Sequence, residues 1–106
     1  MISTKPALVL HLSWIKLSVE FLRQYITNQK FCSVYWNELE RKLSLVFFNE
    51  DSDTAKRYKI NFGSNPGNIP CSSLLRTLSL PKISFRRYED FLVEVERGNL
   101  KVTIQL

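Results

Sequence analysis

Alternating apolar positions first appear near the N-terminus of the chain. Leu8, Leu10 and Leu12 alternate with Val9 and His11. A period of two is the spacing of a β-strand, in which every second side chain points to the same face. This segment therefore predicts a first strand with one strongly buried face.

The apolar period changes after this strand. Leu17, Phe21 and Tyr25 recur at every fourth position, which places them on one face of an amphipathic helix. Ser18 is a residue type that caps helix N-termini, and Asn28 tolerates the left-handed conformation that ends a helix. We expect a helix between Ser18 and Asn28.

A hairpin is expected next. Half of residues 31–38 are β-branched or aromatic, and in residues 41–48 Leu43, Leu45 and Phe47 recur at every second position. Residues 37–42 join these two segments, and all of them except Leu39 are polar. Two antiparallel strands joined by a short turn follow from this pattern.

The second half begins after a polar, acidic segment at residues 49–53, which marks the boundary between the halves. Tyr58, Ile60 and Phe62 then form a core-facing alternation that predicts a strand. Residues 63–68 contain two glycines, two asparagines and a proline, and we expect an irregular loop there.

A short helix and a second hairpin complete the chain. Leucines share one face over residues 71–80, and Pro81 is expected to end that helix. Residues 91–96 and 100–106 alternate between apolar and polar, and residues 97–99 supply the turn, with Gly98 or Asn99 at positive φ.

The order of strand, helix and hairpin thus occurs twice, near residues 7–48 and 57–106. The sequence Phe21-Leu22-Arg23 matches Leu74-Leu75-Arg76 at an offset of 53 positions. We therefore predict an α+β fold for residues 1–106. It would be a single domain of two βαββ halves, with a mainly antiparallel sheet and two helices packed on it.

The second half also carries a resemblance. Its short helix after a polar loop, its Arg87-Tyr88 pair and its alternating terminal hairpin look like those of small uncharacterised proteins of bacteria and their phages, with duplicated βαββ halves. The resemblance implies a mobile-element or accessory origin. It carries no activity and no site residue to this chain.

Charge is distributed unevenly along the chain. The net charge is +5, and residues 54–106 carry nine bases against four acids. Residues 54–88 contain no acid at all. The seven bases of this acid-free stretch are Lys56, Arg57, Lys59, Arg76, Lys82, Arg86 and Arg87. Such a stretch favours either a polyanion or an acidic protein surface as partner, or else it is a solvated face that keeps the protein soluble.

Binding is therefore the expected function. The first hypothesis is that the basic second half engages nucleic acid or a nucleoprotein complex, with phosphate contacts from Arg57, Lys59, Arg76, Lys82, Arg86 and Arg87. The alternative is a protein–protein interaction module, such as a phage-type inhibitor, that docks on an acidic protein surface. Homodimerisation stays open.

Catalysis and cofactors are not expected. His11 is the only histidine, and no cluster of cysteines and histidines has metal-ligand spacing. The acidic residues 50–53 lack the glycine and distal glutamate of a calcium loop. Cys32 and Cys71 lie in apolar segments and are expected to be free, buried and chemically idle.

The expected cellular location rests on two sequence features, the length of the apolar runs and the pattern of the first residues. Its apolar runs are far shorter than a membrane span, and residues 1–6 lack the pattern of a secretory signal. We therefore expect a cytoplasmic, non-enzymatic protein with no membrane partner.

Overall fold

The computed structural model describes residues 5–49, 57–63 and 67–106. Residues 1–4, the acidic residues 50–53 that mark the boundary between the halves, and residues 64–66 of the expected loop lie outside these ranges. In chain order the strands are β1 (Leu8–Leu10), β2 (Trp14–Leu17), β3 (Phe31–Asn37), β4 (Lys42–Phe48), β5 (Tyr58–Lys59), β6 (Asn61–Phe62), β7 (Gly67–Pro70), β8 (Arg87–Tyr88), β9 (Leu92–Glu96) and β10 (Asn99–Gln105).

Within the described residues these strands form two antiparallel sheets of five strands. Sheet A has the order β6-β7-β2-β1-β8, and sheet B has the order β5-β3-β4-β10-β9. At the centre of sheet A, Ile15 on β2 lies opposite Ile69 on β7. At the centre of sheet B, Leu45 on β4 lies opposite Val102 on β10.

Helix α1 connects sheet A to sheet B, whereas α2 and the 3-10 helix after it connect two strands of sheet A, β7 and β8. Helix α1 spans Val19–Tyr25, helix α2 spans Ser72–Leu78, and the 3-10 helix spans Lys82–Ser84. The expected cap of α1 is confirmed, because the Ser18 hydroxyl accepts a hydrogen bond from the Phe21 backbone N–H. Both helices are shorter than the sequence indicates.

The core lies between the sheets and is completed by one side chain from each α-helix. Alternation turns Leu8, Leu10, Ile15 and Leu17 of sheet A inward, and the alternating residues of β4 and β10 meet them from sheet B. Phe21 of α1 and Leu75 of α2 are buried in the same cluster. The predicted α+β single domain, mainly antiparallel sheet with two helices, is confirmed.

Four strands of each sheet are arranged symmetrically about one ladder between the halves, β2–β7 in sheet A and β4–β10 in sheet B. In sheet A, the pair β1-β2 of the first half lies beside the pair β6-β7 of the second half. In sheet B, β3-β4 lies beside β10-β9. The first half therefore contributes two strands to each sheet and the second half three, because β8 also pairs with β1 and β5 also pairs with β3. The ladders β2–β7 and β4–β10 join the halves.

Several local expectations need correction. Residues 67–70 form strand β7 rather than loop and helix entry, and each helix is preceded by a strand, β2 or β7, that the sequence analysis does not predict. Phe62, expected in the core, is half exposed, because its strand ends at the rim of sheet A. The terminal turn has positive φ at Arg97 and Gly98, while Asn99 begins β10.

Candidate functional site

The six cations predicted to contact phosphate are divided between two edges of the fold. Arg57 and Lys59 lie at β5, which continues into β6 at one edge of sheet A. The other four follow later in the chain, from α2 to β8, the strand at the opposite edge of sheet A, and are Arg76, Lys82, Arg86 and Arg87. Four strand spacings separate β6 from β8, or about 19 Å. The structure therefore does not gather the six residues on one surface.

Arg57 does not emerge freely from its strand. Its guanidinium carbon lies 3.5 Å from the centroid of the Phe48 ring, and the side chain is half-buried. This stacking is a cation–π contact that anchors the arginine to sheet B. Only Lys59 of this pair is exposed, so the edge at β5 presents one cation of the predicted set rather than two.

Arg86 and Arg87 are also engaged. The Arg86 guanidinium stacks 4.2 Å from the centroid of the Tyr88 ring. Arg87 forms an ion pair with Glu89, with 2.9 Å between Nε and Oε2, and donates a weaker hydrogen bond of 3.4 Å to the Lys5 carbonyl oxygen. Both arginines nevertheless stay exposed at the surface.

The strand pairing brings Arg87 next to residues that the sequence analysis did not select. On the outer face of sheet A, Val9 lies between Arg87 on β8 and Lys16 on β2, and Lys16 lies opposite Asn68 on β7. Asn68 in turn faces Asn61, whose amide donates to its Oδ1 at 3.5 Å. A polar row with two cations therefore crosses all five strands.

A second row on the same face is aromatic. His11 and Trp14 face each other across the β1–β2 turn with ring centroids 5.1 Å apart, and Trp14 lies opposite Pro70 on β7. The indole is 40% exposed, although tryptophan is usually well covered. We call the two rows together the Lys16 face, which consists of Val9, His11, Trp14, Lys16, Asn61, Asn68, Pro70 and Arg87.

The Lys16 face combines three chemical properties. Lys16 and Arg87 offer positive charge, the asparagines offer both hydrogen-bond donors and acceptors, and Trp14 offers a flat ring to a stacking partner. None of its residues carries a carboxylate, although Glu89 at its margin offsets part of the Arg87 charge. Such a surface is suited to a ligand that has both anionic groups and planar rings.

The residue types that most often carry acid–base, metal or nucleophilic chemistry are placed as follows in the described residues. His11 is exposed and stacks on Trp14, and ranges 5–49, 57–63 and 67–106 contain no group of three or more His, Cys, Asp or Glu residues placed to hold a metal ion. Glu94 lies opposite Lys101, as the hairpin pattern predicts. Burial raises the pKa of both cysteine thiols, which keeps them from acting as nucleophiles at neutral pH.

Two open grooves lie away from this face. A groove of about 560 Å³ on the outer face of sheet B is lined by Tyr35, Val46 and Arg57 among others. A more apolar groove of about 500 Å³ runs between α2 and the β1–β2 turn, beside Leu12 and Phe85. Arg76 lines the second groove.

Comparison with known proteins gives no matching family model, no matching curated protein and no matching solved structure. The resemblance to small bacterial and phage proteins therefore stays a prediction. In the part of the chain that the structure describes, neither helix is long and apolar enough to cross a membrane.

A sequence signal for the Lys16 face does exist. Trp14-Ile15-Lys16-Leu17 alternates between outward and inward side chains over four residues. This short alternation runs directly into the helical period that begins at Leu17, and the helical pattern obscures it. Asn68 and Arg87 could not be assigned to the same face without the strand register.

Proposed function

We propose that this protein is a non-enzymatic binding protein that engages single-stranded nucleic acid through the Lys16 face. The observation that carries the proposal is the exposed Trp14 ring beside a row containing Lys16 and Arg87 on one sheet surface. Cations contact the phosphate backbone, and an aromatic ring stacks on an unpaired base. The net charge of +5 supports a polyanionic partner.

A single strand fits this surface better than a duplex. Bases inside a duplex are already stacked and do not offer a free ring face to Trp14, whereas the bases of a single strand do. The asparagines of the face can bond base edges or sugar hydroxyls.

The test is fluorescence anisotropy with labelled DNA and RNA oligonucleotides of mixed sequence, single-stranded and duplex, over a range of salt concentrations. The double variant Lys16→Gln/Arg87→Gln should bind the single strands more weakly. The slope of log affinity against log salt should flatten by about 0.7 for each phosphate that the variant no longer neutralises. Trp14→Ala should weaken binding by about 1–3 kcal/mol per stacked base.

The matched control is Lys30→Gln/Lys59→Gln, which removes the same number of charges from two exposed lysines elsewhere on the surface. Lys59 also belongs to the set of cations predicted from sequence. If this control loses as much affinity as Lys16→Gln/Arg87→Gln, affinity follows the net charge of the protein and the Lys16 face is not the binding site. If the wild type shows no salt-dependent binding to any oligonucleotide, the proposal is wrong.

A further inference from the structure

Strand β9 forms one outer edge of sheet B. It pairs with β10 over residues 92–96, and among the described residues no strand pairs with its other side. All five of its residues are exposed, and Leu92 and Val95 retain 57% and 75% of their accessible surface. An uncovered apolar edge strand is a template on which a further strand can pair.

The hairpin register shows which backbone groups this edge offers. Arg97 and Gly98 form a two-residue turn, so the flanking residues Glu96 and Asn99 are a hydrogen-bonded pair. Because hydrogen-bonded and non-bonded pairs alternate along an antiparallel ladder, Glu94 also bonds to β10. The N–H and C=O groups of Val93 and Val95 therefore point outward, away from β10.

The edge is also the acidic part of the basic second half of the chain. All four acids of residues 54–106 lie within residues 89–96, which contain no base. Glu89 forms an ion pair with Arg87, while Glu94 and Glu96 stand on the same face of β9, one on each side of Val95. An incoming strand that pairs here meets two carboxylates at alternate positions.

These carboxylates disfavour a second copy of this chain as the incoming strand. An antiparallel pair of β9 strands centred on Glu94 places that residue opposite Glu94 of the second copy. Centring the pair on Val95 places Glu94 opposite Glu96 of the second copy, and centring it on Val93 places Asp90 opposite Glu96. Like charges directly opposite each other destabilise a strand pair.

We infer that β9 is a strand-addition site for an extended segment of a partner protein that carries Lys or Arg at two alternate positions with apolar residues between them. The cations of the segment face Glu94 and Glu96. Its apolar side chains pack beside Val93 and Val95. Its backbone forms hydrogen bonds with the outward N–H and C=O groups of these two residues. This site lies on sheet B and is separate from the Lys16 face on sheet A.

The test uses a fluorescein-labelled octapeptide in which Lys alternates with Val, titrated with the full chain. Val95→Pro removes one outward N–H without removing a β9–β10 hydrogen bond, and proline is tolerated at such edge positions. Affinity should fall by about tenfold or more, because the bonded carbonyl of the peptide is left unsatisfied. Val95→Thr keeps both the N–H and the branched shape, and it should bind as the wild type does.

The charge of the site is tested separately. Glu94→Gln/Glu96→Gln should weaken peptide binding and reduce its salt dependence, whereas Glu38→Gln/Glu40→Gln, an equal change at the β3–β4 turn, should not. A peptide with Glu in place of Lys, and a peptide of the same composition without alternation, should both bind poorly. Equal binding by Val95→Pro and Val95→Thr, or a wild type that dimerises through β9 in ultracentrifugation, would overturn the inference.

Discussion

The two cysteines illustrate how the surroundings of a residue determine its chemistry. Cys32 on β3 and Cys71 at the start of α2 are both free and buried, with at most 2% of their surface accessible. Burial raises the pKa of the Cys71 thiol to about 11, and burial together with the nearby Cys71 raises the pKa of Cys32 as well. Removal from water penalises the charged thiolate, so both thiols stay protonated in the folded protein.

This pKa shift makes stability depend on alkaline pH. The unfolded thiol ionises near its ordinary pKa of 9.0, while Cys71 in the folded chain holds its proton up to about pH 11. The Cys71 thiol therefore makes its full contribution to the free energy of unfolding below pH 9. As pH rises toward 11, this contribution falls by about 2 kcal/mol. Urea unfolding of wild type and Cys71→Ala between pH 7 and pH 11 measures this difference together with the smaller effect of Cys71 on the pKa of Cys32.

Cys71→Ala suits this comparison because the Cys71 side chain makes no capping hydrogen bond to α2. The wild type should lose more stability than the variant over this pH interval. Native protein should also resist thiol reagents at pH 8 until it is unfolded. Parallel pH profiles for the two proteins, or rapid labelling of the native thiols, would contradict the expected protonation.

Ser18 forms one hydrogen bond that the sequence predicts and one that it does not. Its type and its position before a helical period predict a helix cap, and the hydroxyl does accept the Phe21 N–H at 3.1 Å. The same hydroxyl also accepts the N–H of Ala7, at 2.9 Å and 11 residues away. The cap follows from local chemistry, whereas this second bond depends on the strand pairing and has no local signal.

At the scale of elements, periodicity predicts the long strands well and the helix ends less well. Helix α1 stops at Tyr25 rather than near Asn28. There, the Gln29 side-chain oxygen accepts the N–H groups of Thr27 and Asn28, and Ile26 is extended. Such side-chain bonds compete with the helix for backbone donors. The two- to four-residue strands β2, β7 and β8 are too short for a period to be evident.

The β9–β10 turn provides a prediction at this scale. Arg97 has φ of 53° and Gly98 has φ of 81°, the two positive values of a type I′ turn, which favours Asn-Gly. Arg97→Asn should raise the free energy of unfolding by about 0.5–1 kcal/mol, because asparagine adopts this conformation with less strain. Gly98→Ala should lower it by about 1 kcal/mol.

Thermal unfolding followed by circular dichroism measures both changes. An added Cβ at Gly98 meets no atom within 4 Å, so any loss reflects backbone strain rather than a clash. Arg97→Gln is the control, since it removes the charge without favouring positive φ. A gain in Arg97→Gln as large as that in Arg97→Asn would attribute the effect to charge and not to the turn.

At the scale of the whole molecule, the repeated order of elements in the sequence corresponds to a symmetric arrangement of strands. Leu45 of the first half pairs directly with Val102 of the second half at the centre of sheet B. In the helices, the buried residues Phe21 and Leu75 are 54 positions apart, one more than the offset of the sequence match. Sequence similarity therefore shows where the repeat lies, but it does not show which residues of the two halves are structurally equivalent.

Sequence alone could not show that the halves share both sheets. A repeat of strand, helix and hairpin fits two side-by-side units as well as two interleaved ones. The strand ladders decide this, because β2 pairs with β7 and β4 with β10 across the halves. The same interleaving places Arg87 beside Val9 and Lys16, so the candidate site could not be assembled from charge along the chain.

The shared sheets lead us to expect a single cooperative unfolding transition. Trp14 reports on sheet A and Trp36 on sheet B, so Trp36→Phe and Trp14→Phe each leave one tryptophan as a probe of one sheet. Side chains of both sheets and of both α-helices fill one core, so neither sheet keeps its buried face when the other unfolds. In each variant, the fluorescence transition in urea should have the same midpoint as the far-UV circular dichroism transition of that same variant.

Ile15→Ala makes this expectation sharper. Ile15 is fully buried at the centre of sheet A, so its truncation should cost about 2–5 kcal/mol. Because the sheets unfold together, the Trp36 transition in sheet B should shift to lower urea by as much as the Trp14 transition in sheet A. A Trp36 transition that stays in place while the Trp14 transition moves would mean that sheet B is stable alone and that the two sheets are separate folding units.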